Sequence, residues 1–239
     1  MKPKKSKLAV FDIDGTIFRS NLQFELLDGL AYRGVFPKKT LLKIIQSYRD
    51  WLENKDTYEK YKQTLIKLYR QDLKGKNKDD IIKIAKKVVA FYQRRTFVYT
   101  TELISELKKK NYMLLAISGS PVEIVREYNR YLKFDDVFGT VYEIDKQRNF
   151  TGREIYTPVK NKADALKRYV AEQGVSLKES IGVGDTESDI SFLNLVERPI
   201  AFNSDLKLYR YAQKQNWEVI VERKDVVYKI NCPKTRKNQ

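Results

Sequence analysis

The 239-residue chain carries 47 Lys+Arg against 31 Asp+Glu, a net charge of +16, with 42% hydrophobic residues and no histidine. That apolar content excludes a disordered chain, and the missing imidazole excludes histidine acid-base catalysis and histidine metal sites. The single cysteine, Cys232, excludes an internal disulfide and suits a reducing compartment; no apolar run approaches the ~20 residues that cross a bilayer, so a cytoplasmic protein is expected.

The positive excess would serve nucleic acid, an anionic membrane surface or the steering of small phosphorylated ligands. It is spread along the chain, as solvated surface lysines are, and clusters only at residues 2–5 and 234–237.

The first element is Leu8-Ala9-Val10-Phe11, an apolar run followed by Asp12-Ile13-Asp14-Gly15-Thr16. It reads as a buried strand whose carboxyl end presents Asp12 and Asp14, two residues apart, to one face. Two acids aimed at one spot suit a metal or a proton transfer, although Asp and Gly also end strands as plain turn formers.

From about 22 to 97 the periodicity is helical. Leu41, Leu42, Ile44, Ile45, Tyr48, Trp51 and Leu52 recur at helix spacing, then Tyr58, Tyr61, Leu65, Leu68 and Tyr69, then Ile81, Ile82, Ala85, Val88, Val89 and Tyr92. Breaks fall at 34–37 and 74–77. From Val98 onward helices alternate with short apolar strands: a helix over 101–110, a strand at 112–117, a helix from Pro121, a strand at 137–144 and an extended stretch at 151–156. A helix from Lys162, a strand at 181–184, a helix from Glu187, a strand at 199–202, a helix near Leu206 and a strand at 217–221 complete the chain. The pattern predicts an α/β fold with a parallel sheet, interrupted early by an all-helical insertion.

Open α/β sheets bind ligands beyond the carboxyl ends of their strands. At the second such end stands Ser118-Gly119-Ser120-Pro121. Ser120 is expected to cap the next helix, with Pro121 in its first turn and Glu123 completing a capping box. Ser118 and the Gly119 amide are then candidates for an anion at that helix start. At the next stands Gly184-Asp185-Thr186-Glu187-Ser188-Asp189, where Asp185 leaves the strand and Asp189 lies one turn on. Hard oxygen donors without histidine suit Mg2+ and not zinc. The conformational alternative makes Thr186 an N-cap and Asp189 a dipole-favoured acid. Lys162 starts a helix after the turn at Pro158.

Taken in order, Asp12-Ile13-Asp14-Gly15-Thr16, Ser118, Lys162 and Gly184-Asp185 with Asp189 resemble the haloacid dehalogenase (HAD) superfamily, in its phosphoserine-phosphatase-like branch, subfamily IB. The resemblance spans essentially the whole chain. It implies a Rossmann-like HAD core at 1–17 and 98–239 and an inserted helical cap domain at 18–97. It further implies a phosphomonoester hydrolase acting on a small phosphorylated metabolite, or alternatively a nucleic-acid end-processing phosphatase using the basic surface. In that scheme Asp12 is the nucleophile, Asp14 the proton carrier, and Mg2+ is held by Asp12, the backbone carbonyl of Asp14 and Asp185. Ser118, Gly119 and Lys162 bind phosphate, Thr16 does so or supports the turn, and Asp189 orients Lys162 or a metal-bound water.

The pattern departs from phosphoserine phosphatases where substrate is read. Asn21 stands where an acid would meet the substrate amine, and Gln63 falls near the cap arginine that would hold the carboxylate. Glu25 and Arg70 could substitute from neighbouring turns, yet the departure argues against phosphoserine. Asn21, Phe24 and Glu25, just beyond the catalytic turn, are the specificity candidates.

Overall fold

The computed structural model describes residues 7–230; the basic runs at 2–5 and 234–237 and Cys232 lie outside the described residues. Strand β1 (Leu8–Phe11) is completely buried, as expected of a continuous apolar run in the middle of a sheet. It is followed by four helices, α1 (Leu22–Tyr32), α2 (Lys38–Leu52), α3 (Tyr58–Leu73) and α4 (Lys78–Tyr92), and then by α5 (Val98–Lys109). The alternating part contributes β2 (Met113–Pro121), α6 (Val122–Leu132), β3 (Asp136–Ile144), β4 (Phe150–Tyr156), α7 (Lys162–Gln173), β5 (Ile181–Gly184) and α8 (Ile190–Leu193). It ends with β6 (Arg198–Phe202), α9 (Leu206–Gln215), β7 (Glu218–Arg223) and β8 (Val226–Ile230).

The strands form one sheet in the order β4-β3-β2-β1-β5-β6-β7-β8. Its six inner strands run parallel, while β4 and β8 pair antiparallel at the two edges. The expected α/β architecture is therefore present, with both edges closed by strands that reverse direction. Strand β8 has no counterpart among the predicted elements. All five of its residues are exposed, so it shows no core-facing alternation, and it folds back through a turn in which Lys224 takes φ 57°.

Alternation along β1 divides the interior. Ala9 and Phe11 face an apolar cluster built with α5, α6 and the helices α1, α3 and α4, whereas Leu8 and Val10 face a second cluster built with α7, α8 and α9. The inserted helices thus share one continuous core with one face of the sheet. They are interrupted where expected, at Gly34 (φ 72°) and Gly75 (φ 77°), and also between α2 and α3, where Asn54 takes φ 57° and Thr57 caps α3 by accepting from the Lys60 amide.

Two local expectations are corrected. Strand β2 continues through Pro121, so Ser120 does not cap α6; Pro121 itself occupies the N-cap position, without a side-chain cap. The helix expected from Glu187 is a 3-10 turn, Glu187–Asp189, leading into the short α8.

Candidate active site

The carboxyl ends of β1, β2 and β5, adjacent in the sheet, bring the sequence motifs together. Lys162, at the first turn of α7 and 2% exposed, donates to Asp12 Oδ1 at 2.5 Å and to Asp189 Oδ1 at 2.6 Å. The other Asp189 oxygen accepts the backbone N–H groups of Asp185 and Thr186, both at 2.9 Å. Thr186 and Asp189 form a capping box, so the capping role for these residues and a site role for Asp189 coexist in one side chain.

Asp185 lies next to this pair. Oxygens of Asp12, Asp185 and Asp189 fall within 4.8 Å of one another. Thr16 donates to Asp185 Oδ1 at 3.1 Å, so its hydroxyl supports that carboxylate. Gly15, at φ 86°, makes room for that arrangement: a Cβ there would sit 2.1 Å from Asp185 Oδ2.

Asp14 is oriented separately. Its Oδ2 accepts from Ser118 at 2.6 Å and from Ser120 at 2.8 Å, and its Oδ1 accepts the Leu22 backbone N–H at 2.6 Å. Ser118 and Ser120, two apart on β2, share a face and meet at one carboxylate. The Ser118 hydroxyl, fully buried and absent from the cavity wall, is committed to Asp14 and to the Ser120 amide; Gly119 does line the cavity.

The charges are unbalanced. Burial pushes Asp12 up to about 7, opposed by Lys162 and reinforced by Asp189 and Asp14. Asp185 is raised well above the usual carboxylate range, first by burial and then by Asp12 and Asp189. Burial disfavours the Lys162 ammonium, but Asp12 and Asp189 outweigh that and hold its pKa above the ordinary lysine value. Burial also raises Asp14 against the hydrogen bonds from Ser118, Leu22 and Ser120. Three carboxylates share one lysine in a low-dielectric pocket, a donor set that fits a hard divalent cation.

A cavity of about 260 Å³ opens above these residues. Its wall includes Asp12, Asp14, Gly119, Ser120 and Lys162, together with Lys62, Ile66 and Arg70 from α3, Gln23 and Asn21 at the start of α1, Tyr142, Val159 and Lys160, and Thr186 with Ser188. Of the three specificity candidates, only Asn21 reaches this wall, and its side chain caps α1 by accepting from the Gln23 and Phe24 amides. Phe24 packs edge-on against Tyr61, and Glu25 pairs with Arg95 and accepts from Ser20; neither lines the cavity. Gln63 bonds Glu59, four residues back on α3, and is likewise off the wall. Residues 62, 66 and 70 recur every four positions, so a common helix face was visible in the sequence, but not the direction in which it points. Gln23, Tyr142, Lys160 and Ser188 carried no distinguishing signal.

Residues 9–194 match the haloacid dehalogenase-like hydrolase family. The chain is 24% identical over 233 residues to the phosphoserine phosphatase SerB1 of Mycobacterium tuberculosis, covering 88% of this chain and 69% of that one. Among solved structures, a Bordetella pertussis protein of unknown function superimposes with TM-score 0.72 at 20% identity, covering 90% of this chain and 98% of that one. A phospho-aspartyl intermediate analogue of phosphoserine phosphatase superimposes with TM-score 0.60 at 22% identity, covering 93% and 96%. The chain belongs to the haloacid dehalogenase-like hydrolase family.

Proposed function

We propose that this protein is a phosphomonoester hydrolase working through an aspartyl-phosphate on Asp12, with a small phosphorylated metabolite as substrate and Mg2+ as cofactor. The observation that carries this reading is the unequal setting of the two aspartates: Asp12 is held by Lys162 beside Asp185, and Asp14 is held apart by Ser118, Ser120 and the Leu22 amide.

In the first half-reaction an Asp12 carboxylate oxygen attacks phosphorus as the bond from phosphorus to the leaving oxygen breaks, and Asp14 gives that oxygen its proton. In the second, water attacks the phosphorus of the acyl-phosphate and loses a proton to Asp14, which releases inorganic phosphate and restores both aspartates. The raised Asp14 pKa suits an acid that must be protonated for the first half. Lys162 has three N–H donors; two serve Asp12 and Asp189, and the third is available to a phosphoryl oxygen at the cavity wall. Mg2+ would be held by Asp12, Asp185 and the Asp14 carbonyl, and when bound it supplies charge neutralisation for an anionic nucleophile meeting an anionic ester.

The direct test is Asp12→Asn with p-nitrophenyl phosphate and Mg2+. The variant keeps the shape of the side chain and lacks the nucleophile, so turnover should fall by at least about a thousandfold, the order of loss on removing an essential nucleophile. Undiminished turnover by the folded variant overturns the reading.

A further inference from the structure

Glu222 on β7 is a buried carboxylate three strands along the sheet from β1. A charge without solvent is costly unless it is paired and hydrogen-bonded. Glu222 meets three donors from the chain on either side of the inserted helices: the Arg19 guanidinium before them, and after them the backbone N–H groups of Val98 at 3.1 Å and Tyr99 at 2.9 Å. Val98 and Tyr99 open α5, whose N-cap residue Phe97 makes no side-chain cap, so Glu222 satisfies that helix end from β7. The same first turn carries Thr100, fully buried, whose hydroxyl donates to the Thr16 carbonyl at 3.0 Å. Beside it the Phe97 N–H donates to the Ile17 carbonyl at 3.1 Å. Arg19 in turn donates through Nε to the Thr96 carbonyl at 2.8 Å, and its guanidinium lies 4.8 Å from the centre of the Phe97 ring. The turn after Asp14 is therefore held at Thr16 and again at Arg19, and both supports meet at Glu222. An apolar side chain could fill that space, but it could not gather donors from two separate segments at one point.

We infer that Glu222 and Thr100 are positioning residues for the proposed hydrolysis. Acting through the start of α5, they set Thr16, and the Thr16 hydroxyl sets the Asp185 carboxylate that would hold Mg2+. The inference rests on the phosphatase reading for the identity of the metal.

Thr100→Val keeps the shape of the side chain and removes the donor, Thr100→Ser keeps the donor, and Glu222→Gln keeps the length while losing the charge that pairs Arg19. Calorimetric titration should show Mg2+ binding weakened about tenfold or more in Thr100→Val and Glu222→Gln, the lower end of the loss when a metal ligand is deprived of its support, and parent-like binding in Thr100→Ser. At limiting Mg2+ the turnover of p-nitrophenyl phosphate should fall in step, and excess Mg2+ should restore it with KM for the ester unchanged. Val219→Ala, on the same strand but facing the second apolar cluster, is the control for stability: it should lower the unfolding temperature and leave Mg2+ affinity as it was. Parent-like affinity in folded Thr100→Val overturns the inference, and so does an equal loss in Val219→Ala; either leaves the phosphatase reading standing. Parent-like affinity in folded Glu222→Gln overturns the part given to Glu222, and the Thr100 pair decides alone where that variant does not fold. A protein that binds Mg2+ yet hydrolyses no phosphate ester overturns the phosphatase reading and leaves the inference to the titrations. A parent protein that binds no Mg2+ overturns both.

Discussion

The backbone N–H of Leu22, the first residue of α1, donates to Asp14 Oδ1 at 2.6 Å, so the start of the first inserted helix holds one of the two central carboxylates. The next residue extends the connection: the backbone N–H of Gln23 donates to Ser120 Oγ at 3.1 Å, and that hydroxyl donates to Asp14 Oδ2. Helix N-termini present unsatisfied N–H groups and a partial positive charge, so this end of α1 opposes the burial that raises the Asp14 pKa.

Asn21 keeps that end in place by capping α1. Asn21→Ala should cost about 1 kcal/mol of stability, the usual worth of an N-cap. It should also lower kcat more than it raises KM, because the hydrogen bonds from Leu22 and Ser120 to Asp14, the proposed proton carrier, loosen together. The loss should be several times greater for an alkyl phosphate than for p-nitrophenyl phosphate, whose leaving group needs little protonation. Steady-state kinetics on both esters, alongside thermal unfolding, check the claim; equal losses on the two esters would show that Asp14 is not what the cap protects.

Lys162 carries the heaviest electrostatic load. It is buried between Asp12 and Asp189, and Lys162→Met keeps most of its volume while leaving two buried carboxylates without their cation. Breaking such a pair typically costs ~3–5 kcal/mol. Urea unfolding of the metal-free protein should show a loss of that order, and added Mg2+ should recover part of it by neutralising Asp12. A loss below about 1 kcal/mol, the worth of an exposed ion pair, would contradict the buried network.

How much of this was legible in the sequence varies from residue to residue for physical reasons. The strand ends were visible because a buried parallel strand is a continuous apolar run, and the first polar residues after it, Asp12 and Asp185, stand at the carboxyl edge of the sheet. Ser-Pro before a helix is a strong local capping signal, yet Ser120 belongs to the strand and caps nothing. Strand β2 runs four residues further than its apolar stretch, from Ile117 to Pro121, and the same period of two that pairs Asp12 with Asp14 puts Ser120 beside Ser118. Thr16 was half legible: its place after the turn was plain, but its partner Asp185 lies 169 residues away. Phe24 and Glu25 stand close in sequence to the turn after Asp14. On a helix only some of those neighbours face the cavity, and along α1 Gln23 lines it while Phe24 goes to Tyr61 and Glu25 to Arg95.

Gly15 is the position where the backbone itself limits the site. Its φ of 86° disfavours any L side chain, and an added methyl would overlap Asp185 Oδ2 at 2.1 Å. Gly15→Ala should therefore displace Asp185 from Asp12 and weaken Mg2+ binding by about 10–100-fold, the range seen when the support of a ligand is lost. Calorimetric titration of the folded variant with Mg2+ measures this. Unchanged affinity would remove Asp185 from the metal site.

The crowding of Asp12, Asp185 and Asp189 also sets a pH dependence. The folded-state pKa of Asp12 lies at about 7, above its ordinary value of 3.8, so the folded metal-free protein binds a proton there more tightly than the unfolded chain does. For a raised carboxylate the unfolded chain loses its proton first, so the contribution falls as pH rises from about 4 and levels off above about 7. Asp185, raised in the same direction by burial and by Asp12, adds to the trend. The metal-free protein should accordingly lose stability across pH 4 to 7. Mg2+ acts with the opposite sign, because it binds the deprotonated oxygens and must displace those protons. Its affinity should climb with pH and level off above about 7, and its binding near pH 6 should release protons, seen as a binding enthalpy that changes with the ionisation enthalpy of the buffer. An affinity independent of pH between 5 and 8 would mean that the cluster is already ionised without metal, and Lys162 would then be balancing more charge than one ammonium can.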